Sequence, residues 1–490
     1  MTHTQMRTLI AAAALCAAGL ACSKSDVDIT NPNSALAGAV ASDPTALQLL
    51  ATGLQVDQRG TRGGLITNVG ILGREMYTFT PQEGRNTTHF LIGITVSGKQ
   101  ELDPAGFANG SWGAEFGAIR DIYNFKNTVN NSTRTAAEKA GALAFAETLE
   151  GLMQFELLQT RDTLGTITEV KANPFDLAPF VSRDSGYKYA MNILDDAATK
   201  LASAGSSFPF TLAPGFGSAV AGANFNTPAT FLQFNRALKA RVAVNYATLG
   251  GGSAAWQAAL TALGQSFLNA GATTRSAFDV GVYDTYAPSP DSPNGLTQAT
   301  NTNLYAHMSI QTDAQLQASG QPDARYLAKV RTGLPSRQGP INGGQPTSAA
   351  STLGYSIWPT QSSPIPIIRN EELILLRAEA KLGTGDKAGA IADLNIVRVN
   401  SGGLPALTLT AASPDSAVVS AILYEKRYSL MMEGHRWSDV RRYGRLNTLP
   451  IDVPGDFVAK VMPIPQGECL NRLPQGGAFV GPNGLNDCIP

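Results

Sequence analysis

A chain of 490 residues is longer than one ordinary domain and implies several domains or one extended body built from repeated units. Hydrophobic residues make up 43%, enough for a sizeable core, but only 15% are charged, where about a quarter is usual. A formal net charge of −1 leaves no basic footprint for nucleic acid and no polybasic patch for a membrane surface, and a polar, weakly charged exterior suits an exported protein that handles neutral ligands.

Residues 1–21 read as a lipoprotein signal peptide. Arg7 supplies the positive n-region, and Leu9 to Leu20 is an alanine-rich apolar run too short to span a bilayer. Gly19-Leu20-Ala21-Cys22 resembles a bacterial lipobox, with Gly19 where leucine is favoured; Cys16 fits worse because Leu15 precedes it. Cleavage before Cys22 would leave a lipidated thiol and an acylated amine, and several chains anchor a protein where a single one does not. The competing reading is a plain secretory signal. Residues 22–42 are then anchor and tether, and no later stretch is apolar enough to cross a membrane.

Residues 43–271 read as helical hairpins. Asp43 caps a helix with Pro44 in its first turn and Leu47, Leu50 and Leu54 on one face. Gly60 to Gly64 is a flexible break, Leu65 to Tyr77 another helix, and Phe79 to Gly110 loop-rich. Ser111-Trp112 opens a helix carrying Phe116, Ile119 and Tyr123. Ala136–Gln159 and Asp184–Ala204 follow, then a helix from Thr227-Pro228 that Gly250 to Gly252 ends, and one from Ser253 to Ala270.

Across residues 272–364 the helical period disappears, and Gly, Pro, Ser, Thr, Asn and Gln dominate. A loop-rich insertion of that length is usually functional or disordered. Its aromatics Tyr283, Tyr286, Tyr305 and Trp358, with Tyr77 and Phe79 from the earlier loop, are candidates to stack on the apolar faces of sugar rings; core packing is the competing role for each. Trp112 and Trp437 sit within apolar periodicity at helix starts and are assigned to packing.

Residues 365–446 are the most regular stretch. Leu373, Leu376 and Ala380 recur at helical spacing, Gly383 and Gly385 break the run, and Asp386 caps a helix with Ile391, Leu394 and Val397. Two amphipathic helices in roughly 34 residues match the length of a tetratricopeptide repeat. A second unit carries Val418, Val419, Ile422 and Leu430, turns at Gly434, and continues with Trp437, Val440 and Tyr443. Beside these stripes stand Arg369, Glu372, Glu379, Arg398, Glu425, Glu433, Arg436, Asp439 and Arg441. The two signs are almost balanced, so the expected role is an ion-pair network locking helix to helix; an acid/base site competes, but arginine beside each carboxylate keeps it ionised.

The run Glu425-Lys-Arg-Tyr-Ser-Leu-Met-Met-Glu433-Gly434-His435-Arg436-Trp437-Ser-Asp439-Val-Arg441-Arg442 resembles a signature of the SusD/RagB family of outer-membrane nutrient-binding lipoproteins. Glu372-Leu-Ile-Leu-Leu-Arg377-Ala-Glu379-Ala380, with Leu394-Asn395-Ile-Val-Arg398, is similar to the family's upstream motif, and Met462-Pro463-Ile464-Pro465-Gln466-Gly-Glu468 to its closing one. Lys426 stands where arginine is usual and Ser429 where glutamate is usual, which is expected to remove members of the network. The resemblance implies a mostly α fold: tetratricopeptide-like hairpins in a right-handed superhelical scaffold, with an irregular ligand-facing region. It further implies an outward-facing outer-membrane lipoprotein that captures an oligosaccharide or other nutrient for a TonB-dependent, SusC-like transporter. No ligand residue is implied by it.

The tail, residues 447–490, is rich in Gly, Pro and Asn. In an exported protein its Cys469 and Cys488 are expected to close a disulfide loop. Patterns for catalysis are sparse. The histidines His3, His89, His307 and His435 form no close pair, so no metal site is expected. Asn109-Gly110-Ser111-Trp112-Gly113 lacks the first glycine of a nucleophile elbow, and Gly215-Phe-Gly217-Ser-Ala-Val220 fails the dinucleotide fingerprint. Binding without catalysis and without a cofactor is therefore expected. The alternatives are a surface helical-repeat scaffold for peptides or proteins and, third, a glycoside-cleaving enzyme.

Overall fold

The computed structural model describes residues 43–80, 83–96, 98–298, 302–338 and 349–472. The expected signal peptide, the lipidation site Cys22, the tether and Cys488 lie outside the described residues. The architecture is mostly helical. Helix α1, Pro44–Leu72, begins as its sequence dictates: the Asp43 carboxylate accepts from the Thr45 amide at 2.8 Å, and Pro44 fills the first turn. The expected break at Gly60 to Gly64 does not occur. A Cβ at Gly60, Gly63 or Gly64 would meet nothing, so these glycines answer no packing demand. They cost helix propensity of about 1 kcal/mol each, and burial of Thr61, Arg62, Leu65 and Ile66 on the same turns outweighs it. The second helix expected to reach Tyr77 is the end of α1. The chain turns through Arg74 at φ 55° into a short strand, β1, Met76–Thr78.

Apart from the short helices Arg85–Leu91 and Ser218–Ala221, the described residues then form five longer helices: α2 (Gly113–Asn130), α3 (Ala136–Arg161), α4 (Arg183–Leu201), α5 (Pro228–Tyr246) and α6 (Gly252–Gly264). Thr135 and Glu138 form a reciprocal capping box at the start of α3, and Ser182 and Thr227 cap α4 and α5. The last of these helices stops at Gly264, short of the expected Ala270. Each helix packs on its predecessor from α2 to α6. Residues 144–161 of α3 are buried on every face, so this helix is the axis of the N-terminal half.

The loop-rich stretch is tied to the helices by strands pairing far along the chain. Strand β2, Gly281–Asp284, runs antiparallel to β4, Ile365–Arg369, while β3, Leu304–Ala306, runs antiparallel to β1 with Tyr305 opposite Tyr77. Beyond β4 the hairpins resume with α7 (Asn370–Gly383), α8 (Lys387–Asn400), α9 (Asp415–Ser429) and α10 (Arg436–Arg442). Helix α7 packs on α6, so the two helical halves form one stack across the loop-rich stretch. The chain described here closes with α11, Gln466–Arg472.

Candidate functional site

Arg369, Glu372, Glu379, Arg398, Glu425, Glu433 and Asp439 are all buried. Glu372 is buried and accepts two hydrogen bonds from Arg241 of α5, Nε to Oε1 and Nη2 to Oε2, both 2.6 Å; the same guanidinium donates to the Ile367 carbonyl at 2.6 Å. Burial acts to raise the Glu372 pKa, but Arg241 and His435 outweigh it and hold it below the ordinary value. Glu425 bridges Arg325 at 2.6 Å and Arg398 at 2.9 Å. Arg369 joins Glu371 to Glu433. Glu379 pairs with Lys426 and Arg442, Asp439 with the same two cations, and Arg441 reaches Asp162 of the α3 end at 3.3 Å. Arg436 stands apart: burial and the nearby Arg427 guanidinium lower its pKa to about 10.

Of the two departures from the family signature, Lys426 keeps its place among the ion pairs, while Ser429 replaces a charge by a hydroxyl that joins the network through hydrogen bonds alone. Lys426 Nζ contacts Glu379 at 2.9 Å and Asp439 at 2.8 Å. Ser429 Oγ donates to Glu371 at 2.7 Å and accepts from Arg325 at 3.0 Å. Arg241, Arg275 and Arg325 complete the pairing from outside the motif. Reading of the sequence missed them because each is distant in the chain, although Arg241 amid the apolar run of α5 was a visible anomaly. Glu371, Glu372 and Asp439 are all held ionised despite burial, which suits an ion-pair staple and not a proton donor.

Two other buried carboxyls are pushed up to about 7 by burial: Glu75, opposed by Arg436 and Arg427, and Glu115, where nearby Glu156 adds to the effect. Both are enclosed, and neither lines the cavities described below. Ser111 has a positive φ of 59°, but its hydroxyl accepts from the Asn68 amide at 3.4 Å and its carbonyl accepts from the Arg161 guanidinium. Among the described residues no group of three or more His, Cys, Asp or Glu could hold a metal ion, and no helix is long and apolar enough to cross a membrane.

The candidate aromatics do not form one open platform. Tyr77, Phe79, Tyr305 and Trp358 do come together, but inside a hydrophobic cluster that also contains Trp437. Pairing of β1 with β3 sets Tyr77 and Phe79 at 4.8 Å and Phe79 and Tyr305 at 5.6 Å between ring centroids. Tyr77 also stacks on His307, and its hydroxyl donates to Asp452 at 2.8 Å. Tyr283 is buried as well, its hydroxyl on the Asp279 carbonyl. Tyr286 keeps a partly open ring beneath Arg59, 5.5 Å from its centroid. An exposed ring that the sequence did not single out is Phe107, 40% exposed, with the Arg85 guanidinium 4.7 Å over it and His89 at 5.5 Å.

A cavity of about 350 Å³ opens where the loop-rich stretch meets α1. That volume lies in the roughly 300–1,000 Å³ range of small-ligand sites. Helix α1 contributes Gln55, Val56 and Arg59; the loop before α5 contributes Leu212 and Phe216; the loop-rich stretch contributes Tyr283, Asp284 and Asp291. The walls are held in place. Gln48 exchanges hydrogen bonds with the Thr211 backbone at 2.7 and 3.1 Å, and Gln55 accepts from the Ala213 amide at 2.6 Å. A Cβ on Gly215 would lie 1.7 Å from the Tyr283 carbonyl oxygen, so only glycine lets this loop close on β2. At the rim Arg59 holds Asp291 through two bonds of 2.6 and 2.9 Å. At the base Asp284 meets Arg62 and Gln58, and burial raises its pKa. The cavity therefore has mostly apolar walls with a few amides and charged groups placed among them.

Residues 263–471 match the SusD family. In structure the chain is similar to a SusD-like protein from Bacteroides fragilis NCTC 9343, with TM-score 0.64 and 15% identity over 88% of this chain and 96% of that one. It is also similar to NanU of B. fragilis, with TM-score 0.60 and 16% identity over 90% and 98%. A laminarin-binding SusD-like protein gives TM-score 0.60 and 16% identity over 87% and 97%. No curated protein matches the sequence.

Proposed function

By its segment 263–471 this chain belongs to the SusD/RagB family, and from that premise we propose that it is a non-catalytic nutrient-binding lipoprotein of the cell surface. Its ligand is an oligosaccharide or glycan, handed on to a TonB-dependent, SusC-like outer-membrane transporter. Cys22 carries the lipid that holds it to the outer membrane, facing outward.

The observation that carries this reading is a division of labour. The signature charges staple helices in the interior, while the cavity lined by Tyr283, Asp284 and Asp291 lies where the loop-rich stretch meets α1 and its preformed walls meet solvent. Sugar rings present apolar C–H faces to the apolar wall at Val56 and hydroxyls to Gln55, Arg59 and Asp291.

Affinity electrophoresis through gels containing laminarin, starch, xylan or mannan tests it. Retardation by one polysaccharide is expected, and Val56→Trp, at a solvent-facing position of α1 that lines the cavity, is expected to abolish it with Tm unchanged. Retardation that survives Val56→Trp moves the site elsewhere. No retardation by any glycan, with binding of peptides instead, favours a peptide scaffold.

A further inference from the structure

A second cavity, about 640 Å³, lies between the hairpin of residues 94–101 and the segment 457–463. One wall is the strand Lys99–Glu101. It pairs with Ile94–Val96 on one side; on its other edge no strand pairs with it among the described residues. All three of its residues are exposed. An open edge of this kind is a template for another extended chain, because its free N–H and C=O groups repeat at the strand period.

The facing wall is fixed from behind. Trp437 Nε1 donates to the Ala459 carbonyl at 2.8 Å, Arg441 to that of Lys460 at 3.2 Å and Arg161 to that of Pro463 at 3.1 Å, while the Met462 amide donates to Thr160 at 2.9 Å. A groove already ordered in this way spares an incoming chain part of the entropy of forming it. Leu102, Leu164 and Val461 give it apolar positions. Its charged lining groups are Lys99, Lys460 and Glu101, so positive charge prevails, with both ammonium groups on exposed residues. Phe457 lines it, and among the described residues no aromatic ring stacks on it. That combination suits an extended peptide better than a sugar.

We propose that this groove receives an extended, acidic segment of a partner polypeptide, which adds as a strand to the edge of Lys99–Glu101 and sets carboxylates against Lys99 and Lys460. None of its lining residues lines the cavity beside Tyr283, so the inference stands or falls apart from the glycan reading.

The test pans a random peptide phage library on the intact mature chain, then measures synthetic copies of the selected peptides by fluorescence anisotropy. Enrichment of Asp and Glu among β-forming residues is expected. Lys99→Glu and Lys460→Glu should each weaken binding by about fivefold, the scale of one exposed ion pair, and the double reversal should shift preference to lysine peptides. Thr163→Trp, at an exposed lining position, should block binding with Tm unchanged. Alternate N-methylation of the peptide should abolish it, since strand addition needs those N–H groups. No enrichment, or selected peptides indifferent to Thr163→Trp and to the charge reversals, overturns the proposal. So does self-association of the chain, or oligosaccharide binding, that Thr163→Trp removes.

Discussion

Replacing Arg241 by Met removes the partner of a carboxylate that has nowhere else to turn. Glu372 is 1% exposed and Arg241 3%; the two bonds between them are 2.6 Å each, and His435, the other cation-capable neighbour, stands 3.7 Å away with its pKa lowered by burial to about 4. Breaking one side of such a pair costs about 3–5 kcal/mol, because the remaining charge is buried uncompensated. Arg241→Met is therefore expected to lower stability by that amount near neutral pH, read from guanidinium denaturation midpoints and Tm. Wild-type Glu372 has a depressed pKa, so its contribution is present above its unfolded value and fades as pH falls through the folded one. In the variant the largest group opposing burial is gone, so the Glu372 pKa rises relative to wild type and protonation relieves the penalty as pH falls. The deficit should then shrink on acidification. Adding Glu372→Leu should restore most of the loss, since an apolar pair of similar volume is often as stable as a buried ion pair. A cost below about 1 kcal/mol, the range of exposed pairs, or a deficit independent of pH, would refute the account of this pair as a dry interior staple.

Three further outcomes are expected. The Glu75 carboxyl, raised to about 7 by burial, binds its proton more tightly folded than unfolded, so wild-type stability should fall by about 3 kcal/mol as pH rises through the window from its ordinary value to about 7. Glu75→Gln should flatten that slope in a Tm-against-pH series, and parallel curves would count against the shift. Gly215→Ala places a methyl group against the Tyr283 carbonyl; it should cost about 1–3 kcal/mol as overpacking and weaken polysaccharide retardation by displacing one wall of the cavity. Non-reducing peptide mapping should recover Cys469 linked to Cys488, and Cys469→Ser should cost about 3 kcal/mol in the chain-entropy picture of a loop this short; recovery of both as free thiols would dismiss the pairing.

Local chemistry was legible residue by residue. Asp43 and Pro44 announced the start of α1, Thr227 and Pro228 that of α5, and the apolar period of residues 373–397 announced α7 and α8, because caps and helical stripes depend on neighbours within a few positions. The signature run of residues 425–442 likewise marked the charges that staple those helices.

What only the tertiary structure decided depends on residues far apart in the chain. Whether Gly60 to Gly64 bends turns on what Thr61 to Ile66 bury against, and whether Tyr77 and Tyr305 face a ligand or a core turns on the pairing of β1 with β3. The guanidinium that holds Glu372 comes from residue 241, and the cavity exists because Gly215 allows one loop to close on another. Burial, ion pairing and cavity shape are sums over contacts between distant segments, so no window of sequence contains them.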